Sequence, residues 1–153
     1  MKRILVIEDN PVELEYIAVE LKLKRGGYSV SKVSGIDTAG AFIEKWNDYP
    51  FDCVIIDLNM NNEYLVEVIR DLTNGGTLTG WVWLYYVAKP MLDKWQKSPK
   101  IIIYSEFINE LLEYMEKAGK EESRYFESVV TISKADLASE PELLLKKVDE
   151  LLS

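Results

Sequence analysis

The stretch "VIIDLNM", Val54 to Met60, places an acid at the end of a run built to be buried. Val54, Ile55 and Ile56 are β-branched and apolar, which suits a central strand of a parallel sheet covered on both faces. A carboxylate inside such a sheet loses its water at high cost unless it is paired or bound to a metal. Asp57 is therefore expected where the strand ends.

Outward from this strand, the chain alternates strand and helix patterns. "RILVI" is a first apolar strand. Asn10-Pro11 then supplies an N-cap and a first-turn proline for a helix that keeps Leu14, Ile17 and Leu21 on one face and stops at Gly26-Gly27. Tyr28 to Ser34 reads as a second strand, followed by a helix on Ala39, Phe42 and Trp46, and "DCVIID" is the third strand. Lys100 to Tyr104 is a fourth, a helix on Ile108, Leu111, Leu112 and Met115 follows it, and Val129 to Ile132 is a fifth. Ser139 with Glu142 reads as a capping box opening a last helix, Leu143 to Leu152. Strands separated by helices predict an α/β fold with a doubly wound parallel sheet.

Composition bounds the function. At 153 residues and 48% hydrophobic, the chain reads as one domain, 1–153, with a sizeable core. Its 18 basic and 26 acidic residues give a net charge of -8, which repels nucleic acid. The absence of His removes the commonest general base and metal ligand. Cys53 falls within an apolar strand, where a small buried thiol is expected, and one cysteine makes no internal disulfide. The longest apolar run, Trp81 to Ala88, is too short for a membrane span, and "MKR" leads into a strand pattern rather than a signal core. A cytoplasmic protein without membrane or nucleic-acid partners is expected.

In doubly wound sheets, ligands gather beyond the carboxyl ends of the strands. The polar residues there are Glu8 and Asp9 after the first strand, Asp57 after the third, Ser105 after the fourth and Lys134 after the fifth. Carboxylates within about 4 Å repel one another by roughly 4 kcal/mol per pair at an effective dielectric of 20, so three of them call for a cation. All-oxygen ligation favours Mg²⁺. A lysine and a hydroxyl facing that cation suit a phosphoryl group, whose transfer depends mainly on positioning and charge neutralisation.

These residues resemble the receiver domains of two-component response regulators. "ILVIEDN" looks like their first strand with its acidic pair, "GYSV" the second, "FDCVIIDLNM" the phosphoacceptor strand, "IIIYS" the hydroxyl strand and "VTISK" the lysine strand. The resemblance implies a flavodoxin-like strand order 2-1-3-4-5. It also implies that Asp57 accepts a phosphoryl group from a histidine kinase or phosphotransfer protein, while Glu8, Asp9, Asp57 and the backbone carbonyl of Asn59 hold Mg²⁺. Ser105 would reach the phosphoryl oxygens and Lys134 would neutralise them. No catalysis beyond self-phosphorylation and autodephosphorylation is implied, and a stand-alone receiver signalling through protein contacts is expected.

Several positions depart from the family's pattern. Glu106 follows Ser105 where receivers carry a small residue, Ala135 follows Lys134 in place of proline, and Thr131 stands where many receivers keep an aromatic switch residue. The largest departure is an insertion over about 61–79. There Leu65, Val68, Ile69 and Leu72 fall at i, i+3, i+4 and i+7, predicting a short amphipathic helix ended by Asn74-Gly75-Gly76. The next helix, "GWVWLYYVAKPML", is crowded with Trp81, Trp83, Tyr85 and Tyr86. Either the inserted helix covers these rings and enlarges the core, or the rings form a partner or dimer surface. Two other functional readings stay open: a pseudo-receiver acting as a phosphorylation-independent interaction module, and a Mg²⁺-dependent aspartate-type phosphatase. The second wants an Asp two residues after the nucleophile, where Asn59 stands.

Overall fold

The computed structural model of the chain describes residues 1–25, 27–45 and 50–153. Gly26 and Trp46, named above as a helix stop and a core residue, lie outside the described residues. Five parallel strands, β1 (Lys2–Ile7), β2 (Tyr28–Val33), β3 (Cys53–Ile56), β4 (Lys100–Ser105) and β5 (Val130–Ser133), make one sheet in the order β2-β1-β3-β4-β5. This is the flavodoxin-like order expected.

Side chains alternate across a pleated strand, so each central strand feeds two cores. Ile4, Val6, Cys53, Ile55 and Ile102 face α1 (Pro11–Arg25) and α8 (Leu143–Leu152), which contribute Leu14, Ile17, Leu21 and Val148. Leu5, Ile7, Val54, Ile56, Ile101 and Ile103 join the core of the opposite face, with residues of α2 (Ile36–Lys45) and α6 (Ile108–Glu116). Burial pushes the Cys53 thiol up to about 12, helped by the charge of Asp52, so the thiol is inert packing.

The helix after the insertion starts as α4 (Thr79–Trp83), widens into a π turn over Leu84–Ala88 and continues as α5 (Lys89–Leu92). The wide turn ends two residues before Pro90, whose ring and missing N–H exclude an ordinary α-helical bond there.

The structure corrects four local expectations. The inserted segment holds only one α-helical turn, α3 (Glu67–Arg70), followed by a 3₁₀ turn, Asp71–Thr73. Leu65 precedes that helix and the 3₁₀ turn rotates Leu72, so the i, i+3, i+4, i+7 stripe does not form. Leu65 is buried and Ile69 packs against the core, but Val68 is 75% exposed and Leu72 37%. The stop at Asn74, Gly75 and Gly76 does form, with φ of 52, 70 and 105°.

The inserted segment meets only Trp83, which is buried and lines one pocket with Leu65 and Ile69, while Trp81, Tyr85 and Tyr86 are met by a different element, α7 (Lys120–Glu127), which sequence reasoning passed over. Trp81 stacks on Tyr85 at 5.9 Å and meets Tyr125 at 5.8 Å and Phe126 edge-on at 5.5 Å. Its Nε1–H donates to buried Glu122 Oε2 at 2.8 Å. The Ser139–Glu142 capping box is absent: Ser139 donates to the Asp136 carbonyl at 3.1 Å, and α8 begins without a side-chain cap. Leu112, expected inside, is 46% exposed.

Candidate phosphoacceptor and metal site

Register assembles the site. Ile7 pairs with Ile56 and Ile56 with Ile103, so β1 and β3 end level, with β4 running two residues further to Ser105, and the residues that follow emerge at one end of the sheet. Ser105 pairs with Ser133, which puts Lys134 at the same end of the sheet. Asp57 follows the last residue of β3, as expected, with its N–H still donating to the Ile7 carbonyl at 3.2 Å.

The chain turns sharply after the first acidic pair. The Glu8 N–H holds the Val33 carbonyl at 3.1 Å, and Glu8 Oε2 accepts from the Asn10 N–H at 3.3 Å. Asn10 Oδ1 accepts from the Val12 and Glu13 N–H groups at 3.0 and 3.2 Å, which caps α1 as the sequence predicted. Glu8 is buried and Asp9 exposed. Asp57 Oδ1 accepts from the Leu58 N–H at 2.7 Å, which fixes the carboxylate.

Glu8, Asp9 and Asp57 each present an oxygen within 4.8 Å of the others. Between them lies Lys134, whose Nζ donates to Asp57 Oδ2 at 3.1 Å, Glu8 Oε1 at 2.9 Å and Glu13 Oε2 at 2.6 Å. Four of the expected residues are thus brought together. Burial pushes Glu8 up to about 9, with the Glu13 hydrogen bond and the Asp57 charge adding to it and Lys134 opposing. Burial also acts to raise Glu13, but its bonds to Glu8 and Lys134 outweigh that and hold it below its usual value. Burial thus makes Glu8 the weaker acid of the two. Burial alone would lower Lys134, yet its carboxylate partners keep it above the ordinary lysine range.

Ser105 closes β4 with no exposed surface, and its Oγ accepts from the Phe107 N–H at 3.1 Å. That leaves its own hydrogen to donate. Asn59 follows two residues after Asp57 and is exposed, as is Glu106. Thr131 is half-buried in β5 opposite Ile103. No peptide among the described residues is cis, so the Lys134–Ala135 bond is trans.

Two features of the site were not read from the sequence. Glu13 stands three residues past the Asn10 cap, in the first turn of a helix that starts at the site, and that position could have flagged it. Gly80 is the other. Its N–H donates to the Leu58 carbonyl at 2.9 Å, and a Cβ there would lie 1.9 Å from the Asp57 carbonyl oxygen. Only a glycine lets α4 rest on the loop of Asp57 and Leu58 that follows β3.

All three acidic ligand atoms are oxygens, with neither His nor thiolate nearby, so the donor set fits a hard cation such as Mg²⁺. No family profile matches the sequence, and no curated protein does. Solved structures do. The chemotaxis protein CheY4 of Vibrio cholerae aligns with a TM-score of 0.58 and 18% identity, covering 99% of this chain and 98% of that one. A chain of the complex between histidine kinase ThkA and response regulator protein TrrA aligns with a TM-score of 0.59 and 24% identity over 100% of both chains. The phosphorylated cyanobacterial phytochrome response regulator RcpA aligns with 0.57 and 20%, covering 97% and 91%. The fold is that of response regulator receiver domains. Among the described residues, no helix is long and apolar enough to cross a membrane.

Proposed function

We propose that this chain is a phosphoacceptor receiver of a two-component phosphorelay, which takes a phosphoryl group onto Asp57 and signals through protein contacts. The observation that carries the reading is the Lys134 bridge between Asp57 and Glu8, with Asp9 within 4.8 Å of both acids. Glu8, Asp9, Asp57 and the Asn59 carbonyl would hold Mg²⁺, whose contribution when bound is charge neutralisation at phosphoryl oxygens.

Asp57 sits on a short loop behind a rigid strand, and its carboxylate is held by the Leu58 N–H. That suits in-line attack, because a nucleophile fixed in place has already lost its orientational freedom. A carboxylate oxygen of Asp57 attacks phosphorus of a phosphohistidine donor. The P–N bond breaks, its electron pair stays on the imidazole, and an acyl phosphate remains on Asp57. Lys134 exchanges a carboxylate partner for a phosphoryl oxygen, and the Ser105 hydroxyl donates to another. A histidine kinase or phosphotransfer protein would supply the phosphohistidine.

Incubation with acetyl phosphate, followed by intact mass, tests the reading. One added phosphoryl group is expected with Mg²⁺ and none with EDTA. A phosphorylation-independent interaction module is the second reading, favoured by one observation: Lys134 ion-pairs with Asp57, Glu8 and Glu13 together, so the Asp57 carboxylate is already engaged within the fold. Unlabelled wild-type protein would select it.

A further inference from the structure

We infer that the groove between α2 and the inserted segment docks a protein partner that presents an apolar side chain beside Lys or Arg on a short helix. The groove is a cavity of about 320 Å³ walled by Ile36, Gly40, Leu65, Ile69, Trp83 and Val87. That volume accepts one or two large side chains.

Gly40 is the first argument. It sits in the interior of α2, where glycine costs helix stability relative to alanine. No packing constraint within the fold requires it, because a Cβ there would meet nothing within 4 Å. The missing side chain leaves the wall of the groove open.

The second argument is the outward face of the insertion. Among the described residues, four of the ten exposed large apolar side chains, Tyr64, Val66, Val68 and Leu72, lie in this one stretch. The apolar surface therefore extends past the cavity, which fits a helix better than a small molecule.

Charge selects the partner. Asp37 lines the groove, Glu63 and Glu67 flank the lining residues Tyr64 and Val66, and all three are exposed. The nearby cation, Arg70, is turned back onto the Glu63 and Leu65 carbonyls at 3.2 and 2.9 Å. The rim is acidic, and a basic partner complements it.

The segment is also tied to the acceptor loop. It leaves the chain after Met60 and returns at Gly80, whose N–H holds the Leu58 carbonyl at 2.9 Å. A signalling role for the groove rests on the receiver reading. Docking itself does not, and it is measured on unphosphorylated protein.

The probe is a fluorescein-labelled amphipathic peptide of about 14 residues, Leu and Lys only, with Leu at i, i+3, i+4 and i+7. Fluorescence anisotropy should saturate with wild-type protein, and a peptide with Glu in place of Lys should not bind. Gly40→Leu fills the groove at unchanged net charge and should weaken binding at least about tenfold. Gly40→Ala should keep or raise the Tm, since it restores helix propensity. Val66→Lys, at an exposed lip, repels the peptide without touching the core and should weaken binding similarly. Absence of wild-type binding up to millimolar peptide would overturn the inference. So would undiminished binding in Val66→Lys and Gly40→Leu, which would mean attraction to the acidic protein as a whole.

Discussion

Gly80→Ala adds one methyl group where the start of α4 rests on the loop of Asp57 and Leu58. That carbon would lie 1.9 Å from the Asp57 carbonyl oxygen, 2.9 Å from its carbonyl carbon and 3.1 Å from the Leu58 Cα. All three are backbone atoms, so no flexible side chain can swing aside. An ordinary contact starts near 3.4 Å, so helix or loop must retreat by about 1.5 Å. Retreat of the helix would strip the Leu58 carbonyl of its bond from the Gly80 N–H and loosen Trp81 from Glu122. Movement of the loop would shift Asp57 relative to Lys134. Overpacking of this kind costs about 1–3 kcal/mol. A displacement near 1 Å at a reacting group costs on the order of 10²-fold in rate. Urea unfolding and acetyl phosphate labelling of the same preparation measure the two effects, with labelling read well below the unfolding transition. A variant with wild-type stability and wild-type labelling rate would show that α4 does not position Asp57.

Other expectations follow from particular contacts. Lys134→Met leaves Glu8, Glu13 and Asp57 without their cation and should cost roughly 3 kcal/mol in the absence of metal, and Mg²⁺ should raise the Tm of this variant more than that of wild type. Glu8 binds its proton more tightly folded, near 9, than at its ordinary value of 4.5. Metal-free stability from this group is therefore complete below about 4.5 and lost as pH rises through 9, while Mg²⁺ affinity tightens over the same window. Glu8→Gln should flatten both profiles in thermal melts and Mg²⁺ titrations. Glu122→Ala strands the buried Trp81 Nε1–H and should cost about 2–3 kcal/mol by urea unfolding, with a shift in tryptophan emission. Glu106→Ala removes an exposed anion next to Ser105 and should speed labelling by small phosphodonors; an unchanged rate would place that carboxylate's influence elsewhere.

The sheet was legible because its strands are short apolar runs with polar residues at their ends. Periodicity and turn residues suffice when an element is buried on both faces, as β3 is. The candidate cluster was legible for the same reason: Glu8, Asp57 and Lys134 each directly follow a strand, Asp9 stands next to Glu8, and the parallel register brings them to one end of the sheet. The insertion was misread because periodicity presumes one continuous helix. Leu65 lies outside α3, and a 3₁₀ turn interrupts the stripe before Leu72. The helix α7 was missed although Glu122, Tyr125 and Phe126 recur at i, i+3 and i+4, because a glutamate on the inward face does not count as apolar. Its role depends on Trp81, which is distant in sequence and invisible to a local window. Gly80 looked like an ordinary helix start, since close backbone approach leaves no mark beyond the glycine itself.

The central claim is that Asp57 is the atom-level acceptor, and trapping the adduct addresses it directly. Borohydride reduces an acyl phosphate of aspartate to homoserine, which peptide mass spectrometry locates. After acetyl phosphate and Mg²⁺, homoserine is expected at position 57 alone, and no trapped product is expected in Asp57→Asn or in EDTA. Homoserine at position 9, or wild-type protein that never yields a trapped product, would contradict the account.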